Sequence, residues 1–420
     1  MSVPSTGLSK LKKKHIRVKH QKVKLFRANE PLLSVFMWGV NHTINELSHV
    51  TIPVMLLPDD FRAYSKLKVD NHLFNKENMP SHFKVKEYCP LVFRNLRERF
   101  GIDDIDYKES LTRSQPTPDD SSGKSGAKFY QSYDRLFILK TLTSEEVERM
   151  HSFLKHYHPY IVERHGKTLL PQYLGMYRLT VDGIEHYLVA TRNVFSNHLN
   201  IHRKFDLKGS TVDREASEKE LEKELPTLKD NDFIKQGVRI DIGDAAKEKL
   251  LETLTADVEF LTKLHLMDYS LLLGVHECGR GEAEAEAAAR DADNDSDDSD
   301  TDTDTDNRHH GDRWADILTW GYNTPPDSPR GLARQSSLRY QGIIPELDIY
   351  AIPSQDGAHK KEIYFVALID VLTHYGVKKQ AAKAAKTVKY GSNVDGISTC
   401  DPEQYGKRFI EFVAKAIEGV

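Results

Sequence analysis

The sequence is poor in cysteine and lacks long apolar runs, and both absences exclude whole classes of protein. Three cysteines, Cys89, Cys278 and Cys400, lie far apart in 420 residues and are odd in number. This usage excludes a disulfide framework, offers no Cys/His spacing for zinc, and favours a reducing compartment. No stretch reaches the roughly eighteen apolar residues that a membrane span needs. The lysine-rich N-terminus has no apolar core, so we expect no secretory signal.

Charge is separated along the chain, although the net charge is only −4. Residues 282–306 carry a net charge of −11, which leaves +7 for the remainder. A basic remainder predicts an anionic partner, either a nucleic acid, a nucleotide or an acidic membrane. Residues 10–24 contain seven lysines, Arg17 and no acid. This basic arm is either a disordered tail or a membrane or nucleic-acid contact, and its composition alone leaves both interpretations open.

Hydrophobic periodicity in the first half of the chain predicts helices and antiparallel strands. A loop rich in Ser, Pro, Gly and Asp is expected over 112–125, before a hairpin. The order of hairpin, helix and two strands resembles the small lobe of a kinase. The predicted helices are 31–49, 90–100 and 144–157, and the predicted strands are 128–133, 135–142, 173–181 and 186–194.

The second half contains the clearest amphipathic helix, over 247–264, and a long segment of low complexity. Residues 277–347 are acidic and rich in Ser, Thr and Pro, so we expect a disordered insert. A strand over 362–372 and a helix over 402–417 follow the insert. These elements predict an α+β protein with an N-terminal lobe at 25–194 and a C-terminal lobe at 195–420.

A loop that could lie over phosphates precedes the predicted hairpin. Gly123 and Gly126 flank Lys124 and Ser125, but position 118 is Pro, where a Walker A loop needs Gly. A glycine-bearing turn can still bring backbone N–H groups close to phosphates. A simple surface loop is the alternative.

Lys140 and two aspartates are the strongest candidates for chemistry. Lys140 ends an apolar strand, and an inward-pointing lysine there needs an anionic partner such as a nucleotide phosphate. Asp268 and Asp370 each lie at the end of an apolar element. Two such carboxylates can hold Mg²⁺ beside phosphates, and one can orient an attacking hydroxyl. Alone, each residue is as well explained by a strand-end charge, a helix cap or a salt bridge.

A third candidate is the turn at 206–211, Asp-Leu-Lys-Gly-Ser-Thr, with Arg203, Lys204 and Arg214 nearby. Basic and hydroxyl groups around a glycine suggest an anion-binding turn.

Together these motifs resemble those of the phosphatidylinositol phosphate kinases. The resemblance rests on Met-Asp-Tyr-Ser-Leu-Leu at 267–272, on Asp-Leu-Lys-Gly-Ser at 206–210 and on Ile-Asp at 369–370. Residues 71–78 and 384–389 resemble the type II members, the phosphatidylinositol 5-phosphate 4-kinases. The chain lacks the His-Arg-Asp and Asp-Phe-Gly motifs of protein kinases, so a protein substrate is not expected.

The resemblance implies a two-lobed kinase fold that uses Mg²⁺ and ATP, with GTP as an alternative donor. It makes Lys140 the nucleotide-phosphate lysine, Asp268 the catalytic aspartate and Asp370 the metal-binding aspartate, with Asp268 also near the metal. Arg214 would bind the ring phosphate of the substrate. The remaining implied nucleotide contacts are Gly123, Gly126, Thr191, Asn193, Val194 and Lys208, and Lys208 would also approach the substrate.

The resemblance also implies a specificity loop at 372–399. Five lysines there, with no acid among them over 378–389, can face an anionic leaflet. Ala381 stands where the 5-kinases have Glu, which favours phosphatidylinositol 5-phosphate as substrate. The implied substrate contacts are Lys378, Lys379, Ala381, Lys383 and Lys386.

The predicted function is therefore transfer of the ATP γ-phosphate to the 4-hydroxyl of phosphatidylinositol 5-phosphate at a membrane surface. The resemblance also implies a homodimer or a heterodimer with paralogues. It implies peripheral attachment to plasma or inner membranes, or a nuclear location. A nucleic-acid partner is not expected. The alternatives are a weakly active phosphoinositide-binding scaffold and a 5-kinase acting on phosphatidylinositol 4-phosphate.

Overall fold

The computed structural model describes residues 26, 28–70, 79–119, 126–295, 342–374 and 401–418, with backbone alone for 291–295. Several predictions fall outside these residues. They are the basic arm at 10–24, the type II segment at 71–78, Gly123, and the substrate contacts Lys378, Lys379, Ala381, Lys383 and Lys386.

A seven-stranded antiparallel sheet with four helices forms the N-terminal lobe. The strand order is β1-β2-β6-β7-β5-β4-β3. The strands are β1 Tyr64–Asp70, β2 His82–Tyr88, β3 Thr117–Asp119, β4 Phe129–Gln131, β5 Phe137–Leu142, β6 Tyr173–Val181 and β7 Ile184–Arg192. The helices are α1 Pro31–Leu47, α2 Pro90–Arg99, α3 Asp104–Thr112 and α4 Ser144–Glu163, with a 3₁₀ turn at Pro58–Phe61.

The predicted hairpins of this lobe are confirmed. β4 pairs with β5, and β6 pairs with β7 through a turn in which Asp182 and Gly183 have φ of 51° and 79°. Positive φ at both turn residues matches the twist of the flanking strands. The predicted loop over 112–125 is wrong in part, because its residues 117–119 form β3, which pairs with β4.

Helix α4 is longer than predicted and continues through Pro159 to Glu163. Its first turn is capped by Thr143, whose hydroxyl accepts the N–H of Glu146 while the Glu146 carboxylate accepts the N–H of Thr143. His156 and His158 therefore both lie within this helix. His158 is buried and its Nε2 lies 2.7 Å from Asn95 Oδ1.

A five-stranded sheet organises the C-terminal lobe, with the order β11-β12-β10-β8-β9. The strands are β8 Arg203–Leu207, β9 Thr227–Leu228, β10 Ser270–Glu277, β11 Ala351–Pro353 and β12 Glu362–Ile369. The helices are α5 Glu218–Leu221, α6 Asp230–Lys235, α7 Gly243–Lys263, α8 Cys278–Asp295 and α9 Pro402–Glu418. Strands and helices are thus segregated, and the predicted α+β class is confirmed.

The predicted limits of the acidic insert, 277 and 347, are wrong at both ends. Helix α8 follows β10 directly and occupies the first part of the segment. At the other end the described chain resumes at Gly342, and Ile343 is buried against the C-terminal sheet. Alanine-rich helix propensity and one buried apolar side chain extend the ordered structure beyond what composition predicts.

The two lobes share one continuous apolar core and are joined by a buried carboxylate. Asp257 of α7 accepts hydrogen bonds from the Tyr160 hydroxyl of α4, at 2.6 Å, and from Thr168 Oγ1, at 2.7 Å. It also accepts the backbone N–H of Leu169 at 2.6 Å. The Leu169 carbonyl in turn accepts the N–H of Leu368 in β12, at 2.7 Å.

Candidate active site

The candidate site lies where β10 begins and β12 ends. The antiparallel register pairs Ser270 with Ile369, so Asp268 precedes one strand and Asp370 follows the other at the same end of the sheet. Asp268 is half-buried and Asp370 is exposed. The predicted meeting of these two carboxylates at adjacent element ends is therefore confirmed.

Both aspartates adopt left-handed backbone conformations, with φ of 63° at Asp268 and 59° at Asp370. Non-glycine residues rarely do so, and they persist there only where the surroundings hold them. The Met267 N–H donates to the Thr373 carbonyl at 2.9 Å, and Leu266 forms an antiparallel bridge with His374. The segments that carry the two aspartates thus hold each other in place.

Lys140 lies on the face of the N-terminal sheet that turns away from the buried side chains of β5. Cross-strand partners project from the same face. The partners of Lys140 are Phe129 and Val189, and two residues earlier Ile138 is paired with Thr191. Lys140 Nζ lies 5.9 Å from the centroid of the Phe129 ring. Phe129, Ile138 and Thr191 on this face are half-buried, as is Lys140 itself, whereas Val189 is buried.

Tyr173 connects the Lys140 face to Asp370. It pairs with Thr191 and therefore projects from the same face as Lys140. Burial, and then the charge of Asp370, raise the pKa of the Tyr173 hydroxyl. Asp370 is therefore within electrostatic reach of the face that carries Lys140. Tyr173 thus links the face that carries Lys140 to the neighbourhood of Asp370, and the register of β10 and β12 links Asp370 to Asp268.

The turn at 206–210 is built on Asp230, which is completely buried. One carboxylate oxygen of Asp230 accepts the backbone N–H groups of Lys208, Gly209 and Ser210, at 2.9, 2.8 and 3.4 Å. Gly209 has φ of 68°, and a Cβ on it would lie 3.1 Å from Phe412 Cβ of α9. The backbone anion site expected in this turn is thus filled by the protein itself.

The nearby cations are also largely engaged by carboxylates. Arg214 Nε donates to Asp230 at 2.7 Å, and its Nη2 donates to the carboxylate and the carbonyl of Asp206 at 3.0 and 2.6 Å. Burial disfavours the charge, but Asp230 and Asp206 outweigh it and raise the pKa of Arg214. Arg203 pairs with Glu277 and Glu362, at 3.3 and 2.7 Å. The sequence interpretation of these arginines as free anion ligands is therefore wrong for Arg203.

Arg214 retains one nitrogen for a ligand. Within the described part of the chain, its Nη1 makes no hydrogen bond, while Nε and Nη2 fix the plane of the guanidinium group. A phosphate contact at Nη1 would not require either carboxylate to move.

The strand end that leads from the N-terminal lobe to β8 contains the predicted nucleotide contacts Thr191, Asn193 and Val194. The Asn193 amide donates to the Arg135 carbonyl at 2.9 Å, and its oxygen accepts the N–H of Phe195 at 3.1 Å. The Asn193 side chain therefore supports the connection between the lobes. Gly126, with φ of 72°, begins the described chain before β4.

Sequence reasoning missed Asp230, Asp257 and Tyr405, which support this site. For Asp257 a signal exists, because it is a carboxylate three residues after Leu254 and four before Leu261, on the apolar side of α7. For Asp230 and Tyr405 the sequence offers no distinguishing pattern.

Comparison with known proteins agrees with this geometry. A family model described as phosphatidylinositol-4-phosphate 5-kinase matches residues 110–416. Phosphatidylinositol 5-phosphate 4-kinase type-2 alpha of Mus musculus is 59% identical over 407 residues, 96% of this chain and 95% of that protein. The type-2 alpha protein of Gallus gallus is 58% identical over 424 residues, 99% and 100% of the two chains. The type-2 beta protein of Homo sapiens is 57% identical over 400 residues, 94% and 92% of the two chains.

Proposed function

The chain belongs to the phosphatidylinositol-4-phosphate 5-kinase family, and from this membership we propose that it is a lipid kinase acting on phosphatidylinositol 5-phosphate. It transfers the γ-phosphate of ATP to the 4-hydroxyl and produces phosphatidylinositol 4,5-bisphosphate. The family model carries the name of a 5-kinase, whereas the relatives that match almost the whole chain are named 5-phosphate 4-kinases. Identity of 57–59% over nearly full length favours the latter specificity.

The observation that supports the proposal is that Asp268 and Asp370 flank the paired strands β10 and β12 at the same end, while Lys140 shares a sheet face with Tyr173. Asp268 accepts a hydrogen bond from the inositol hydroxyl and aims it at the γ-phosphate. Lys140 neutralises charge on the nucleotide phosphates. Because phosphoryl transfer needs little covalent chemistry from the protein, positioning and electrostatics supply most of the rate.

The residues present fit a magnesium ion. Among the described residues there is no group of three or more His, Cys, Asp and Glu side chains that could hold a metal ion alone. Mg²⁺ commonly takes one or two carboxylates together with phosphate oxygens, which is the donor set that Asp370, Asp268 and ATP would form. When bound, the ion neutralises charge that develops on the phosphates.

Arg214 and Lys208 are the proposed contacts for the lipid headgroup and phosphates. The Asp230 and Asp206 carboxylates fix Arg214 so that Nη1 is available to the ring phosphate. Lys208 follows β8 and is half-buried beside the same turn. Lysines of the loop at 372–399 would add contacts with the membrane surface.

A basic face on the N-terminal sheet supports peripheral binding to an anionic membrane. Lys66 lies directly opposite Lys86, and Lys68 lies opposite Lys84, so four lysines share one face of β1 and β2. Opposed like charges destabilise a sheet unless an anion compensates them, as Asp70 does for Lys68 at 2.9 Å. Burial, and then Arg178 and Lys66, lower the pKa of Lys86. Each lysine near an anionic leaflet contributes about 1 kcal/mol.

We propose that this basic face attaches the protein to cytoplasmic membrane surfaces, at the plasma membrane, at inner membranes or in the nucleus. No helix in the described ranges is both long and apolar enough to cross a bilayer. The exposed edge strand β1 would pair with a second copy or a paralogue, which gives a dimer with one continuous basic face.

The decisive experiment is a radiolabel transfer assay on vesicles of phosphatidylinositol 5-phosphate, beside phosphatidylinositol 4-phosphate. We expect the 5-phosphate to be preferred, and Asp268→Asn or Asp370→Asn to lower kcat on the order of 10²- to 10⁴-fold while vesicle binding is retained. The matched control is Asp182→Asn, an exposed aspartate with φ of 51° at the β6–β7 turn.

Other outcomes would overturn particular parts of the proposal. Preference for the 4-phosphate would make the chain a 5-kinase. Vesicle binding without turnover on either lipid would make it a scaffold. Near-normal turnover of either aspartate variant would remove that residue from the catalytic group.

A further inference from the structure

Helix α9 packs closely against α7, the helix that precedes Asp268, because glycine occupies position 406. A Cβ on Gly406 would lie 2.8 Å from Val258 Cγ1 and 3.2 Å from Thr262 Oγ1 of α7. The same Cβ would lie 3.4 Å from the Tyr269 hydroxyl. A side chain at position 406 would therefore press on Val258 and Thr262 and force α9 or these α7 side chains to shift.

Tyr405 uses this close approach to reach the backbone beside Asp268. Its side chain is completely buried, and its hydroxyl donates a hydrogen bond to the Tyr269 carbonyl. The Tyr405 ring packs edge-on against the Tyr269 ring, with centroids 4.9 Å apart. Phe409 packs against both rings, at 5.2 and 6.2 Å. One aromatic cluster thus joins α9 to the residue that follows Asp268.

The backbone at this point needs such support. Asp268 has φ of 63°, and this left-handed residue turns the chain from the end of α7 into β10. A rotation about the peptide that follows it would move the carboxylate relative to Asp370 and Lys140. The Tyr405 hydroxyl donates to the Tyr269 carbonyl and so fixes the orientation of the peptide between Tyr269 and Ser270.

The chemistry of Tyr405 suits support rather than proton transfer. Burial, and then the charge of Asp268, raise the pKa of its hydroxyl well above 10. The hydroxyl therefore remains protonated and donates at every pH at which the enzyme works.

From these contacts we infer that Tyr405 is a positioning residue for Asp268, so that the C-terminal helix α9 is part of the catalytic apparatus. The inference rests on the proposed role of Asp268 in phosphoryl transfer. It assigns α9 the task of holding the 268–270 backbone in the orientation that aims the inositol hydroxyl.

The test is Tyr405→Phe, which keeps the ring contacts and removes only the hydroxyl. We expect kcat to fall about 10- to 100-fold, as for a small misplacement of a catalytic group. KM for ATP is expected to change less than about twofold, since Lys140 and Asp370 are untouched. In an Asp268→Asn background, Tyr405→Phe should cause almost no further loss, because the group that it positions has already been removed.

Tyr364→Phe is the matched control. Tyr364 is also buried, its hydroxyl donates to Glu362 at 2.7 Å, and it lies near the far end of β12 from Asp370. Both variants are assayed well below their Tm, so a shared loss of stability cannot mimic a kcat effect.

A Tyr405→Phe variant with the kcat of the unsubstituted enzyme would overturn the inference. An equal loss of kcat in Tyr364→Phe would also overturn it, because removing a buried tyrosine hydroxyl far from Asp268 would then have the same effect. If Asp268→Asn retains turnover, the proposed role of Asp268 fails instead, so the two failures are distinguishable.

Discussion

At the scale of single residues, the environment of each carboxylate separates its role from that of the others. Asp268 and Asp370 are accessible and sit in left-handed conformations at the ends of strands. Asp230 is completely buried and accepts three backbone N–H groups as well as Arg214. A buried carboxylate saturated with donors organises structure, whereas an accessible one can meet a substrate.

Asp230→Asn and Asp206→Asn test this distinction on one guanidinium group. The asparagine oxygen can still accept the backbone N–H groups, but its amide nitrogen then faces Arg214 Nε, which loses its buried ion pair. We therefore expect Asp230→Asn to lower the free energy of unfolding by about 3–5 kcal/mol. Asp206 has a partly exposed side chain, and its substitution should cost about 1 kcal/mol. Urea denaturation of both variants measures the difference, and equal losses would contradict the assignment.

At the scale of elements, the N-terminal sheet has an exposed edge that needs explanation. β1 pairs with β2 on one side alone in the described structure, and Tyr64, Ser65, Lys66 and Lys68 are exposed. An edge strand offers unpaired N–H and C=O groups to another chain. The lysines of β1 restrict such pairing to strands that tolerate positive charge, including a second copy of β1, which carries the same charge.

Proline substitutions test whether β1 forms a dimer. Successive residues in a strand direct their N–H groups to opposite sides, so either Leu67 or Lys68 donates away from β2. Proline at the position whose N–H points away from β2 should keep the native circular dichroism spectrum, and this property selects between Leu67→Pro and Lys68→Pro. We expect the selected variant to be a monomer of 48.0 kDa, whereas the parent protein is a dimer of twice that mass. Light scattering gives the mass, and the matching alanine variants, which retain the N–H, should stay dimeric. A monomeric parent chain would rule out the dimer itself.

At the scale of the whole molecule, Asp257 fixes one lobe against the other. Its hydrogen bonds join α7 to α4 and to Leu169, in the segment before β6. The Leu169 carbonyl in turn accepts the N–H of Leu368 in β12, two residues before Asp370. Burial raises the pKa of Asp257 to about 6, and the hydrogen bonds from Tyr160 and Thr168 counteract only part of this shift. The contact that aligns the cleft is therefore sensitive to pH.

The pH dependence of stability follows from the sign of this shift. Below about pH 3 Asp257 is protonated in both the folded and the unfolded chain. As the pH rises to 6, the unfolded chain releases the proton first, so this residue lowers the free energy of unfolding by about 3 kcal/mol in total.

Asp257→Asn removes this titration. We expect the stability difference between the parent and Asp257→Asn to shrink by about 3 kcal/mol between pH 3 and pH 7. Urea midpoints across this range measure it. Parallel curves for the two proteins would show that another group is responsible.

The sequence by itself determined the α+β class, most helices and hairpins, and the candidacy of Lys140, Asp268 and Asp370. The predictions of the class, the helices and the hairpins succeeded because hydrophobic periodicity and turn chemistry are local properties. It could not locate β3 inside a polar loop or the ordered ends of the insert, because their order comes from pairing and from distant packing.

Only the tertiary structure showed which charges are neutralised within the protein and which remain for a ligand. Arg203 and Arg214 look equivalent in the sequence, yet Arg203 is paired with two glutamates, and Arg214 is held by Asp230 and Asp206 with one nitrogen spare. Tyr405 lies 137 positions after Asp268 in the chain and reaches the next residue through α9. Burial and partners depend on contacts between distant segments, and these are decided only when the whole chain has packed.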